Sequence, residues 1–547
     1  MLRSRLLAST LILLVSGGAV SASERTALQA AADFLPPPVL TLPQALPAEL
    51  ISPGFMAEFA ERLGVTHRRM SAADKADREA LLQFYAERGH EPVWVDAAGL
   101  TPAAQSVIAE ISRADDWGLD STDFQFPVLA SHAAMSREVR ADMDVEISLA
   151  VLLYARHARG GRADPRRISR NLDRKPRLIE PLEVIATAAN DADPDAYLRS
   201  LHPQHPQFEK LRQQYLAIKR GELASLVQPV ALTNGRTSKK RAPARPQEAA
   251  LLRALLANME QWRWMPDDMG SYHVWVNIPE FTLRVVADGH VVHSERVIVG
   301  RPTTQTPIFS DEIQHVIFHP FWGVPASIKT KELLPSLQRG NTDVLARNNL
   351  RLQYRGREID PRTVDWSRAD MRKFHVYQPP GADNALGIVK FRFPNAHAVY
   401  IHDTPSKRLF NADVRAFSHG CMRLRDPVKL AALLLTQDEK WTAEKVNAAA
   451  RRGPKNNWIA LGRKVPVHMT YFTAWVDDDG ALKLFRDVYG HDTRIARAIG
   501  AGAGAPATAT ASRPARTERA ARKRQPSPPP RMARRSDRDW MSRMFNP

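Results

Sequence analysis

Between Trp262 and Tyr272 the hydrophobic period of this chain changes from that of a helix to that of a strand, which splits it into two differently built halves. Upstream, apolar residues cluster at helical spacing. Leu81, Leu82, Phe84 and Tyr85 form one face, and Val107, Ile108 and Ile111 a second. Ile147, Leu149, Val151, Leu152, Leu153 and Tyr154 form a third. Thr101-Pro102 supplies an N-cap followed by proline at the first helical position. Downstream, Tyr272, Val274, Val276 and Ile278 alternate with His273, Trp275 and Asn277, the mark of a half-buried strand.

Strand signals then repeat. Leu283–Ala287 and Val291–Val299 flank Asp288-Gly289, a hairpin dipeptide suited to two residues at positive φ. Gln314–Phe318, Phe374–Tyr377, Val389–Phe393 and Ala398–His402 are further strand-like runs, and Asp479-Gly480 marks a second hairpin between Val465–Trp475 and Leu482–Phe485. The expectation is a multi-domain α+β chain. A helical domain without clustered catalytic residue types, hence a scaffold, covers 51–221, and a mainly β domain covers 248–492. The polar, irregular stretch 323–388, with a helical piece at Thr330–Leu337, reads as a capping insertion.

The remaining segments have their own character. Arg3 and Arg5 precede the apolar run Leu6–Val15, and Val20-Ser21-Ala22 has the form of a cleavage site, so 1–22 reads as a signal peptide for export to the periplasm. Residues 23–50 form a Pro/Ala-rich leader, 222–247 a basic linker, and 493–547 a basic disordered tail. These segments locate the chain's formal charge of +18: the signal peptide holds +2, Arg236–Arg245 +5 and Arg513–Arg543 +8. The folded body is therefore only mildly basic, and no nucleic-acid partner is expected. No transmembrane anchor is expected either, because no run approaches the ~18 apolar residues that a membrane helix needs.

The chain has a single cysteine, Cys421, set in Phe417-Ser418-His419-Gly420-Cys421-Met422-Arg423-Leu424. One cysteine rules out an intramolecular disulfide and a Cys-rich zinc module. Polar neighbours and a glycine that lets the backbone turn are poor company for a core position, so the residue reads as a nucleophile. Such a thiol needs a base. His402, 19 residues upstream at the end of a strand-like run, and His419, two residues away, both qualify. Asp426-Pro427 starts a helix directly afterwards, which suggests a field favouring negative charge.

Ser418-His419-Gly420-Cys421-Met422-Arg423, preceded by His402-Asp403-Thr404-Pro405, resembles the signature of L,D-transpeptidases, the YkuD-fold cysteine enzymes of bacterial peptidoglycan. Phe321–Ile328 resembles the segment leading into the capping region of the large, YcbB-like subfamily, and Gln378-Pro379-Pro380-Gly381 with Asn384-Ala385-Leu386-Gly387 resembles the stretch before its catalytic loop. Leu81–Asp96 and Leu100–Leu119 resemble its scaffold domain. The resemblance implies Cys421 as nucleophile, His402 as general base and acid, and oxyanion or substrate contacts from Ser418, His419, Gly420 and Arg423. It implies no cofactor and no metal. It further implies peptidoglycan stem peptides as donor and acceptor, and 3→3 cross-links as product. L,D-carboxypeptidase activity, or attachment of a lipoprotein by the same site, is the alternative. Where large members carry a wall-binding module, this chain has only the linker 222–247, so the basic tail is assigned an anionic envelope surface as partner.

The rival readings are weaker. His315, His319, His397, His402 and His419 form no H-E-x-x-H, the helical pair a zinc peptidase would need. An NlpC/P60-type peptidase places its cysteine before its histidine. A non-enzymatic wall-binding scaffold would leave the Ser-His-Gly-Cys-Met-Arg run without a role.

Overall fold

The computed structural model describes residue 63 and residues 70–501 apart from 90, 97, 125, 127–135 and 223–243. The signal peptide, the leader and nearly all of the expected tail lie outside the described residues.

The N-terminal half is helical. Its main helices are α1 (Ala72–Glu87), α2 (Pro102–Ser112), α3 (Arg137–Gly160), α4 (Pro181–Asn190) and α5 (Pro206–Lys219). Their ends follow local capping chemistry. Ser71 and Asp74 form a reciprocal box at the start of α1, and the Thr101 hydroxyl accepts from Ala104 N–H at the start of α2. The helical faces legible in sequence meet in one core, where Leu81, Val107, Ile111, Ile147 and Val151 are fully buried. Asp144 sits in its midst, accepting from Trp94 N–H at 2.6 Å and the Tyr85 hydroxyl at 2.6 Å. Burial raises its carboxyl to about 6.

Helix α6 (Ala244–Trp262) carries the chain into the β half, its first residues taken from what composition marks as linker. Strands β1 (Tyr272–Asn277), β2 (Thr282–Ala287), β3 (His290–Gly300) and β4 (Ser310–Phe318) open the second domain. The Asp288-Gly289 turn between β2 and β3 has φ of 49° and 80°, as a two-residue hairpin requires. After the insertion come β9 (Val389–Arg392), β10 (Ile401–His402), β11 (Ala416–Ser418), β12 (Met422–Leu424) and β13 (Asn457–Thr470). The sheet order is β11-β3-β12-β10-β9-β4-β13-β1-β2, and β2 also pairs with β3, so the sheet closes on itself. Its inner face, with Val274, Val297, Phe391, Ile401 and Met422, shares a core with helix α7 (Pro427–Leu435).

The insertion folds separately. Strands β5 (Trp322–Gly323), β6 (Arg351–Tyr354), β7 (Arg357–Glu358) and β8 (Phe374–Gln378) make a second sheet in the order β5-β8-β6-β7. Trp322, Ile328, Leu333, Leu352, Trp366 and Val376 give it a core of its own. A π-helical turn, Lys329–Leu333, interrupts its helical segment.

Three sequence expectations need correction. Residues 493–498 are not tail: helix α8 (His491–Ala498) packs into the body, with Ile495 and Ile499 buried at i,i+4 spacing. Its Ala/Arg-rich composition masks that stripe. The strand expected from Ala398 begins only at Ile401, because Ala398 adopts φ 54° in a turn held by Asn395, whose Oδ1 accepts from Val399 N–H at 3.1 Å. Strand β12 lies between Cys421 and helix α7, so the helix does not start directly after the cysteine.

The halves are joined by polar as well as apolar contacts. Buried Arg174 donates to the Met469 carbonyl at 2.8 Å and to the Ser310 hydroxyl. Asn171 Nδ2 donates to Gln305 Oε1 at 2.9 Å, and Leu172 bridges to Ile308. These contacts place the N-terminal half against the loop that backs the cysteine.

Candidate active site

Strand register decides which side chains share a surface. Ile401 pairs with Met422 and His402 with Arg423 in parallel, while Lys390 pairs with His402 in antiparallel. Residues paired across a sheet point the same way, and alternate residues point opposite ways. Phe391, Ile401 and Met422 enter the core. Lys390, Arg392, Tyr400, His402, Cys421 and Arg423 therefore share the opposite face.

Cys421 is half-buried and not disulfide-bonded. Burial raises its thiol; the Tyr400 backbone, Lys390, the Tyr400 side chain and Arg423 pull it back. His402 is buried, and its Nδ1 meets the Asp403 carbonyl at 2.5 Å. A carbonyl only accepts, so Nδ1 carries the proton and Nε2 presents a lone pair. Burial, with Arg423 as the next cause, lowers His402 to about 3. Thiol and imidazole are thus both neutral at rest. No hydrogen bond joins them among the described residues: Tyr400, whose ring centroid lies 5.5 Å from that of His402, is the neighbour that touches the thiol.

The loop holding Cys421 is fastened from both sides. Ser418 Oγ accepts from Gly420 N–H at 3.1 Å and donates to the Cys421 carbonyl at 2.6 Å. Gly420 sits at φ 117°, a conformation that L side chains rarely adopt. From behind, the Thr306 hydroxyl accepts from Gly300 N–H at 2.9 Å and donates to the Gly420 carbonyl at 2.8 Å. Thr304 Oγ1 donates to the Ser418 carbonyl at 3.0 Å. The Gly420 N–H, one of the groups that the resemblance assigns to an oxyanion, is thus already committed to Ser418. The backbone N–H groups of His419 and Cys421 have no protein acceptor among the described residues.

His419 turns away from the thiol. Its Nε2 lies 2.8 Å from Oε1 of Glu332, in the π-helical turn of the insertion. Asn384 and Gln378 stitch the return from the insertion to β9. Asn384 Nδ2 donates to the Pro379 carbonyl at 2.9 Å and the Pro320 carbonyl at 3.1 Å, and Gln378 Oε1 accepts from Ala385 N–H at 2.7 Å. Gly387 is needed twice over, by φ 57° and because a Cβ would fall 2.2 Å from Asp403 Oδ2. That carboxylate accepts from Ile388 N–H at 2.9 Å and pairs with Lys407 at 2.5 Å, which fixes the residue following His402.

All six residues singled out in sequence, Ser418, His419, Gly420, Cys421, Arg423 and His402, fall on this loop and the strands beside it. Sequence reasoning missed Tyr400 and Lys390. Their strand alternation with Ile401 and Phe391 is the signal that finds them.

Two family models match. Residues 271–467 match the L,D-transpeptidase catalytic domain, and 79–214 match the Scaffold domain. A Haemophilus influenzae protein bearing the name "Putative L,D-transpeptidase" is 29% identical over 297 residues, covering 53% of this chain and 60% of that protein's length. Among solved structures, an L,D-transpeptidase from Mycobacterium smegmatis is 14% identical, with 37% of this chain and 58% of that chain covered at a TM-score of 0.17. L,D-transpeptidase 3 from Mycobacterium tuberculosis is 15% identical, covering 37% and 61% at a TM-score of 0.18.

Proposed function

We propose that this chain, which carries an L,D-transpeptidase catalytic domain and a Scaffold domain, is an exported peptidoglycan L,D-transpeptidase that works through a Cys421 thioester. The observation that carries this reading is the shared face: a lone thiol just before β12 and, on the adjacent strand β10, a histidine with a fixed tautomer stand beside an amide-bearing loop.

The thiol proton passes to His402 Nε2 as Sγ attacks the carbonyl between diaminopimelate and the terminal D-Ala of a tetrapeptide stem. The His419 and Cys421 amides take the oxyanion, a contribution typically worth ~3 kcal/mol per donor. Collapse breaks the C–N bond, and the imidazolium gives its proton to the departing D-Ala amine. The side-chain amine of a second stem then attacks the thioester and loses a proton to Nε2. The new amide forms the 3→3 cross-link, and the thiolate recovers the proton. Starting from two neutral groups suits this sequence, because the proton moves only when substrate brings the reacting atoms together.

Incubation with a disaccharide-tetrapeptide should release D-Ala and add the acyl mass to Cys421, read by intact-protein mass spectrometry. Turnover by Cys421→Ala refutes the assignment.

A further inference from the structure

The face that carries Cys421 is strongly cationic. Lys390 and Arg392 alternate on β9 with buried Val389 and Phe391, so both point toward the side of Tyr400 and His402. Lys390 Nζ stands 4.0 Å above the Tyr400 ring, and Arg392 Cζ lies 5.6 Å from the Trp458 ring. No carboxylate pairs with either among the described residues. Burial lowers the Lys390 ammonium, and the charge that opposes this is that of Cys421. A half-buried lysine resting on an aromatic ring, with no carboxylate partner among the described residues and a neutral thiol beside it, is poorly compensated until a ligand supplies negative charge.

The order of strands shows where that charge comes from. Cys421 leads into β12, His402 lies on β10, and Lys390 lies on β9 beyond it. Neighbouring strands are about 4.8 Å apart. A peptide attacked by Cys421 and protonated on its leaving amine from His402 runs across the sheet in that order, which brings the atoms after the leaving nitrogen over β9. In a donor that ends one residue past the scissile bond, those atoms are the terminal α-carboxylate. Resting on the thioester reading above, we infer that Lys390, supported by Arg392, binds the free C-terminal carboxylate of the donor peptide and so selects donors that end there.

Two measurements test this. The first compares acylation of Cys421 by one tetrapeptide donor with its C-terminus as carboxylate or carboxamide. Lys390→Met should lose at least 10-fold in kcat/KM on the carboxylate and change less than 2-fold on the carboxamide. Lys390→Arg should keep most of the preference, and Arg392→Gln should lose part of it. The second is the ratio of Cys421 alkylation rates by iodoacetate and iodoacetamide, in which any change in thiol pKa cancels. It should fall at least 5-fold in Lys390→Met, with Tm unchanged. Equal losses on both donors, or an unchanged alkylation ratio, overturn the assignment. If the wild type acylates with neither donor, the transpeptidase reading fails, while the alkylation ratio still decides whether Lys390 receives a carboxylate.

Discussion

His419 Nε2 and Glu332 Oε1 meet at 2.8 Å, so the residue two positions before the proposed nucleophile is fastened to the insertion rather than to the thiol. The insertion otherwise has its own sheet and core, which makes this contact a tether between two separately packed bodies. Partly exposed ion pairs contribute ~0.2–1 kcal/mol. Glu332→Gln should therefore raise the opening equilibrium of the insertion by about 1.4- to 5-fold. Hydrogen exchange at Lys329–Leu333 should quicken by that factor, with Tm nearly constant. Unchanged exchange there means that the insertion is held by other contacts.

Both proposed reacting groups rest neutral, and this has a pH signature. Burial puts the Cys421 thiol above its ordinary value and His402 at about 3. Alkylation of Cys421 by iodoacetamide should climb with pH through a single midpoint above the free-thiol value of ~8.5, without an inflection near 6.5. His402→Ala should slow peptide acylation by ~10²–10⁴-fold and leave that alkylation midpoint nearly in place. An alkylation midpoint near 6 would instead reveal a resting thiolate–imidazolium pair.

Much of this site is legible in the amino-acid sequence. The alternation around Ile401 and Phe391 defines the strands, and Ser418–Arg423 picks out the loop that runs from β11 into β12. Two things are not legible there. Which side chains touch the thiol depends on the register between β9, β10 and β12, of which β10 and β12 pair although strand β11 intervenes in the chain. Composition also misleads: α8 is rich in Ala and Arg, yet Ile495 and Ile499 are buried against the body, and tertiary packing makes it a helix. His419 shows a further limit. Its place beside Cys421 suggests a second base, whereas a carboxylate more than eighty residues upstream claims its ring.

The buried histidines set the acid limit of stability. His157, His402, His468 and His491 each stand at about 3, with burial as the leading cause. Their folded values lie below the unfolded one of ~6.5, so between those limits the unfolded chain binds more protons. Stability from these groups is complete above pH 6.5 and falls as the pH drops, by up to ~1.4 kcal/mol per unit for each. Asp144, raised to about 6, works in the opposite direction between its unfolded value of ~3.8 and 6. Asp77, Glu260, Asp311 and Asp492 are likewise raised, but His202, His205 and His273 join the four histidines, and seven groups titrating from an unfolded value of ~6.5 outweigh five titrating from ~4 over this range. Tm should fall steeply from pH 6.5 to 4.5, and a flat profile there would contradict neutral burial.

Thr306 offers the sharpest test of how the proposed catalytic loop is held. Its side chain is fully buried and bridges Gly300 N–H to the Gly420 carbonyl. Valine has nearly the same shape but neither donates nor accepts, so Thr306→Val leaves both backbone groups buried without that partner, at a cost of about 1–3 kcal/mol each. The strain falls on the peptide just before Cys421, whose amide is proposed to face the oxyanion. Thr306→Val should therefore lower acylation by at least 10-fold through kcat, with KM little changed, because Thr306 holds the loop from behind and does not lie on the face shared by Cys421 and His402. Thr306→Ser keeps the hydroxyl and should recover most of the rate despite losing a methyl group. If serine and valine reduce kcat equally, packing by the methyl group rather than the hydrogen-bonded bridge holds the loop.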